Sequence, residues 1–267
     1  MRYARVLVVD DMQTNLDVTE GLLRKYKMQV DCVLSGYEAV ERIRHGKPEY
    51  SAVFMDHMMP GMDGIETADA IRALESEYAR SIPIIALTAN AIHGTENVFY
   101  AHDFQAFITK PIDIMLLDTV VCKWVRNEAL EKSAAASAPA EEPAGAGEAE
   151  IAIAGLDAER GLALYADETD IYINALRSYA ANTPEALEKM REVTVESLEG
   201  YAIVVHGVKG VSANVGAVET VRAAGRLELL ARSSDLDGVL ALNDAFIRDT
   251  LNIVANITSW LENHDAE

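Results

Sequence analysis

Five short runs of large apolar residues punctuate the first half of the chain: Val6-Leu7-Val8-Val9, Val30 to Val33, Ala52-Val53-Phe54-Met55, Ile82 to Leu87 and Phe104 to Ile108. Their apolar character is nearly continuous rather than alternating, the pattern of strands covered on both faces in a parallel sheet. Helical periodicity fills the intervals, as with Val40, Ile43 and Arg44 after Gly36. A fivefold alternation of β and α patterns predicts a doubly wound α/β domain with a five-stranded parallel sheet.

The pattern stops at Ser133–Glu150, a tract of Ala, Pro, Gly, Ser and Glu with no aromatic or large aliphatic side chain. Such a tract cannot bury enough apolar surface to offset the entropy of ordering it. Pro139, Pro143, Gly145 and Gly147 also break any helix running in from the preceding segment. Beyond it the β signal vanishes. Helical segments are expected to start near Asp157, Glu168, Pro184, Ser197 and Ser234, with Thr183-Pro184 as an N-cap and first helical residue. Ser234-Asp235-Leu236-Asp237 reads as a capping box, and one helix is expected from about Ser197 to Arg232. The predicted organisation is an α/β domain over residues 1–128, a flexible linker over 129–152 and an all-α helical bundle over 153–267.

The formal net charge of −20 argues against nucleic acid as a partner, because phosphate backbones reward clustered Lys and Arg. The two cysteines, Cys32 and Cys122, have no metal-site or redox-motif spacing, sit among apolar neighbours and read as buried free thiols of a reducing compartment. The N-terminus runs straight into a strand pattern without the long apolar region of a secretory signal. No apolar stretch approaches the roughly 20 residues that cross a bilayer. The expectation is a cytoplasmic protein without membrane insertion.

Polar residues stand where the strand patterns end: Asp10 and Asp11 after the first, Asp56 after the third, Thr88 after the fourth and Lys110 after the fifth. In an open parallel sheet, ligands bind outside the carboxyl ends of the strands. Taken singly, each of these residues is an ordinary capping or turn residue. Together they bring three carboxylates, a hydroxyl and an ammonium to one rim. Three carboxylates repel unless a hard cation joins them, and Mg2+ suits an all-oxygen set that also takes phosphate oxygens. One carboxylate could then attack phosphorus while the ion and Lys110 neutralise the transferring group.

Val8-Val9-Asp10-Asp11, the run from Met55 to Gly64 (MDHMMPGMDG), Ala86-Leu87-Thr88-Ala89 and Thr109-Lys110-Pro111 resemble the receiver domains of two-component response regulators, in the expected order. The resemblance covers about the first 127 residues and implies a flavodoxin-like fold. It implies Asp56 as phosphoacceptor, with Asp11 and Asp56 ligating Mg2+ through side chains, Met58 through its carbonyl and Asp10 through water. Thr88 and Phe107 would form the switch pair, and Lys110 would precede a cis proline. Where the family often has glycine, this chain has Asp103, a residue that tolerates left-handed backbone.

In the second half, Val204, Val208, Val211, Val215 and Val218 form one helical stripe, and His206 lies roughly opposite it, so it is expected in an open position rather than in the core. Ala202, Lys209, Gly210, Ala213 and Ala217 surround the histidine, a flat patch in place of long charged side chains. Two readings stay open on this pattern: a histidine offered to a docking partner, or one packed against another helix of the same chain. His206-Gly207-Val208-Lys209-Gly210 and the residues up to Ala217 resemble the histidine phosphotransfer (HPt) motif. Gly155-Leu156-Asp157, Gly161-Leu162 and Leu227-Glu228 fit as well. That resemblance implies His206 as phosphosite, with Lys209, Gly210 and Ala213 as its surroundings, in a bundle built around four helices.

The combination implies a phosphorelay in which a histidine kinase charges Asp56, the group moves to His206, and a further receiver takes it. A linker of about 20 flexible residues, about 25 Å end to end, would permit an intramolecular receiver–HPt contact. No glycine-rich P-loop is present, so phosphotransfer and slow self-dephosphorylation are expected, without ATP-dependent kinase activity. The signature around Asp56 resembles receivers joined to hybrid sensor histidine kinases, so the chain could equally be a freestanding relay protein or the C-terminal part of such a kinase. Two rival classes are a binding module that signals without phosphorylation, and a Mg2+-dependent aspartyl phosphohydrolase. The intact Asp, Thr and Lys set argues against the first. Adjacent Asp10-Asp11, in place of Asp-x-Asp, argues against the second.

Overall fold

The computed structural model describes residues 1–88, 95–127, 130–131 and 151–265. They fall into two compact units, one built on a parallel sheet and one of helices alone. The predicted linker lies almost wholly outside the described residues.

In the first unit, β1 (Arg5–Val9), β2 (Gln29–Val33), β3 (Ala52–Asp56), β4 (Ile84–Thr88) and β5 (Ala106–Thr109) form one sheet of order β2-β1-β3-β4-β5. Every pairing is parallel. Leu7, Val9, Val53, Met55, Ile84 and Ala86 enter one buried cluster. The alternate positions Val6, Val8, Phe54, Ile85 and Leu87 are equally buried on the opposite face. Burial on both faces is why these strands read as unbroken apolar runs. The expected five-stranded α/β fold is the observed one. β1 and β2 each begin one residue earlier than the sequence reading, and two strands begin two residues later: β4 at Ile84 rather than Ile82, and β5 at Ala106 rather than Phe104. Ile82 and Phe104 are buried, but Ile82 caps a short helix and Phe104 bonds back to Phe99 in a turn, so their burial serves the loops.

Between the strands lie α1 (Gln13–Arg24), α2 (Gly36–His45), α3 (Gly64–Arg72), α4 (Glu77–Ser81) and α5 (Thr95–Ala101), and α6 (Ile114–Trp124) follows β5. Cys32 on β2 is only partly buried and Cys122 on α6 is exposed, so the two thiols are not the buried ones expected from their apolar neighbours. Local chemistry starts several of them. Ser35 caps α2 by accepting from the Glu38 amide. Asp113 caps α6, and Asp63 with Glu66 closes a reciprocal capping box at α3.

The second unit contains α7 (Ala158–Ala163), α8 (Thr169–Glu188), α9 (Leu198–Asn214), α10 (Val218–Arg232) and α11 (Leu236–His264). The single helix expected from Ser197 to Arg232 is instead two helices. The break falls at Gly216, whose φ of +77° is a left-handed conformation that favours glycine. A Cβ there would also stand 2.2 Å from the Asp157 carbonyl oxygen. The turn is fastened from the α7–α8 connection and from α8: Tyr165 Oη donates to the Asn214 carbonyl at 2.9 Å, and Tyr172 Oη to that of Val215 at 3.0 Å. The valine stripe therefore spans a hairpin, and Val208, Val211 and Val215 are its fully buried part.

Thr183-Pro184 does not start a helix either. Pro184 sits inside α8. Burial of Tyr179 before it and Leu187 after it holds both halves in one helix despite the missing N–H. The last helix is capped by Asp235, which accepts from the Gly238 amide, rather than by Ser234. Among the described residues, no helix is long and apolar enough to cross a membrane.

Candidate functional site

Strand ends decide the geometry of the first site. β1 and β3 are adjacent, so Asp10, one residue past β1, and Asp56, the last residue of β3, emerge side by side. Both are buried, at 0% and 4% exposure, as is Thr88 at the end of β4, at 2%. Lys110 follows β5, and its amide donates to the Thr88 carbonyl at 2.7 Å, which fixes where its side chain departs. Its ammonium lies 2.5 Å from Asp10 Oδ2 and 2.8 Å from Asp56 Oδ1. The Lys110-Pro111 bond is cis, as the sequence resemblance implies.

Asp10, Asp11 and Asp56 each offer a carboxylate oxygen, and the three oxygens lie within 4.8 Å of one another. One ammonium among three carboxylates leaves an excess of two negative charges. The strain of that excess falls on Asp11: burial, then the charges of Asp10 and Asp56, push its carboxyl up to about 7. Lys110 is held above its ordinary value, because its two carboxylate partners outweigh the burial that opposes its charge. A divalent cation with oxygen ligands fits this donor set and its charge deficit.

The loop between β3 and α3 carries Met58, partly buried, and is tied down by main-chain bonds. His57 N donates to the Leu87 carbonyl at 3.0 Å, and Gly64 N to that of His57 at 3.1 Å. Gly64 is a site residue that the sequence reading passed over. A Cβ on it would stand 2.2 Å from the Asp56 carbonyl oxygen, so its absence lets α3 start against the strand end that carries Asp56. The signal was present in Asp63-Gly64-Ile65-Glu66, a capping box opening on glycine. Phe107, on β5, is partly buried and packs on the sheet core. Asp103 adopts φ +55°, the left-handed conformation expected where the family often has glycine. His102 beside it pairs with Asp69 at 2.9 Å.

In the helical unit His206 lies on α9 and is 8% exposed, although its place opposite the valine stripe suggested an open position. Its Nδ1 lies 2.8 Å from Glu228 Oε1 on α10. A carboxylate can only accept, so Nδ1 carries the proton and the lone pair of the neutral ring is on Nε2. Lys209, one turn along α9, also donates to Glu228, rather than standing ready for a phosphoryl group alone. Arg232 reaches the same carboxylate at 3.0 Å. Burial opposes ionisation of Glu228, yet hydrogen bonds from His206 and Lys209 outweigh it and bring its carboxyl down to about 2. Ala213 and Gly210 lie on α9 near His206, and Ser212 bonds Tyr179 Oη at 3.1 Å, a packing role. Glu228 is the second residue whose part the sequence did not disclose. Leu227-Glu228 fitted the motif, but only the fold brings it to the histidine 22 positions earlier.

The chain matches the family model of the response regulator receiver domain over residues 6–121. Residues 6–121 are a receiver domain. The chain is 32% identical over 250 residues to the sensor protein GacS of Pseudomonas syringae pv. syringae, an alignment covering 91% of this chain and 26% of that protein. It thus spans about a quarter of the length of that relative, and the alignment runs past the receiver domain into the helical unit. Among solved structures, the receiver domain of sensor histidine kinase PA1611 from Pseudomonas aeruginosa PAO1, crystallised with a magnesium ion in its active-site cleft, is 32% identical. It covers 46% of this chain and 97% of that one, with a TM-score of 0.41. The complex of the Saccharomyces cerevisiae phosphotransfer protein Ypd1 with the receiver domain of Ssk1 contributes a chain 27% identical, covering 46% of this chain and 88% of that one, at a TM-score of 0.41. The receiver domain places this chain in two-component signalling, and its sequence is related to hybrid histidine kinases.

Proposed function

We propose that this chain is a two-station phosphorelay protein, with a receiver over residues 1–128 that accepts a phosphoryl group on Asp56 and a histidine phosphotransfer domain over 153–267 that carries one on His206. The observation that carries the reading is the meeting of Lys110 with Asp10 and Asp56, beside Asp11, on the rim of a matched receiver domain. Asp56 attacks phosphorus through a carboxylate oxygen, and the bond from phosphorus to the nitrogen of a donor histidine breaks, its electron pair returning to that ring. Lys110 neutralises the arriving oxygens, and the Thr88 hydroxyl donates to one of them as Phe107 turns inward. Asp11 and Asp56 side chains, the Met58 carbonyl and Asp10 through water would hold Mg2+, which supplies further positive charge at the transferring group when bound. His206 Nε2 then takes the group from Asp56, with Lys209 beside it and the small residues Gly210 and Ala213 leaving room for another backbone.

The upstream partner in this reading is a histidine kinase and the downstream partner another receiver domain. The chain itself performs no ATP-dependent phosphorylation. Mixing an Asp56→Asn chain with a His206→Gln chain tests the relay: label placed on Asp56 of the second is expected on His206 of the first. Transfer as fast as within the intact chain would exclude an obligatory step in cis, and no transfer under either condition would contradict the relay. Asp11→Asn is expected to weaken Mg2+ binding by about tenfold or more, measured by titration calorimetry, because it removes a carboxylate from the cluster. Unchanged affinity would place the ion elsewhere.

A further inference from the structure

We infer that the charge of Glu228, and not only its hydrogen bond, keeps phosphorylated His206 in its reactive form and so sets how readily this station gives its phosphoryl group up. The inference rests on His206 being the phosphosite. In the resting state Nδ1 bears a proton held by Glu228 Oε1 at 2.8 Å. When Nε2 bonds to phosphorus, the oxygen–phosphorus bond at the donor carboxylate breaks and its electron pair stays with that carboxylate. No proton needs to move. The ring becomes a phosphorylated imidazolium, with its positive charge facing Glu228. In the outward step the nitrogen–phosphorus bond breaks and the pair returns to Nε2, which is easy from the cation. From the neutral ring, left if Nδ1 loses its proton, the same step expels a far poorer leaving group.

Within the helical unit the charged groups around this ring are Glu228 and Arg232 on α10 and Lys209 on α9. Both cations are bound to Glu228 itself, so the carboxylate is held ionised and aimed at the ring. A carboxylate hydrogen-bonded to the charged form favours it, moving such a proton equilibrium by about 1–3 units, a factor of ten in protonated fraction per unit. Without that carboxylate, the phosphorylated ring loses its proton at a lower pH and becomes inert there.

The test uses the full chain carrying Asp56→Asn, charged on His206 with phosphoramidate, and the His206→Gln chain as acceptor. With Glu228 present, the transfer rate is expected to hold through pH 8. In the added Glu228→Gln variant, whose amide oxygen still accepts from Nδ1, it is expected to fall about tenfold or more between pH 6 and pH 8. Glu228→Asp, which keeps the charge, is expected to restore part of the rate at pH 8. Equal loss at every pH in the Gln variant would mean that Glu228 only positions the ring, and no loss at all would remove it from the reaction; either overturns the inference. Failure of His206 to take label with Glu228 in place would instead overturn the phosphosite itself.

Discussion

Replacing Lys110 with methionine is expected to slow phosphorylation of Asp56 by about 10²–10³-fold, the usual cost of removing one preorganised group that meets charge in a transition state. The ammonium stands 2.5 Å from Asp10 and 2.8 Å from Asp56, so it is the fixed positive charge where phosphoryl oxygens would arrive. Methionine keeps most of the volume and removes the charge. Breaking a buried ion pair also costs stability, of the order of 3–5 kcal/mol, because the remaining carboxylates have lost their counter-charge. Mg2+ is expected to recover part of that loss, since it neutralises the same carboxylates, but not the rate. The check is the initial rate of labelling by acetyl phosphate at saturating Mg2+, with a melting curve in the same buffer. A rate within threefold of the unaltered chain would show that Lys110 serves only the fold.

Gly64→Ala is expected to damage the same site from the backbone side. The added methyl would meet the Asp56 carbonyl oxygen at 2.2 Å and His57 Cα at 3.0 Å, both main-chain atoms that cannot rotate away. Either α3 withdraws or the end of β3 shifts, at about 1–3 kcal/mol or more, and Asp56 moves relative to Lys110. Gly61→Ala makes the comparison. Gly61 has φ +79°, so alanine is strained there by about 1–2 kcal/mol, but its Cβ meets only Tyr37, at 3.5 Å. Both variants are expected to melt earlier, and Gly64→Ala alone to label much more slowly at a temperature where both are folded. Equal labelling would mean that the α3 start does not position Asp56.

These two variants mark how far sequence reasoning reached. The sheet was legible because parallel strands buried on both faces leave unbroken apolar runs, and because Asp10, Asp56, Thr88 and Lys110 all fall at strand ends, where topology alone makes them converge. Gly64 escaped because its role is a close approach between backbones, which leaves no trace in periodicity. In the helical half, periodicity carried on through Val215 to Val218 although the chain turns at Gly216. A 3.6-residue repeat is blind to a two- or three-residue turn that keeps apolar residues on the inner side. Pro184 misled in the opposite direction, since packing on both sides of it overrides its local preference for a helix start. Glu228 was invisible as a partner of His206 because their meeting depends on that same hairpin, and a helical wheel drawn through the turn places them without regard to it.

The central claim is that phosphoryl groups pass through Asp56 and His206. Its most direct test is to label the intact chain with acetyl phosphate and Mg2+, then treat the product with acid and with base, alongside Asp56→Asn and His206→Gln chains. Acyl phosphates are lost in base and phosphohistidine in acid. The account expects base-labile label first and acid-labile label later, no label of either kind in Asp56→Asn, and only the base-labile kind in His206→Gln. Label that survives in Asp56→Asn with the same stability, or an intact chain that takes none, would contradict it.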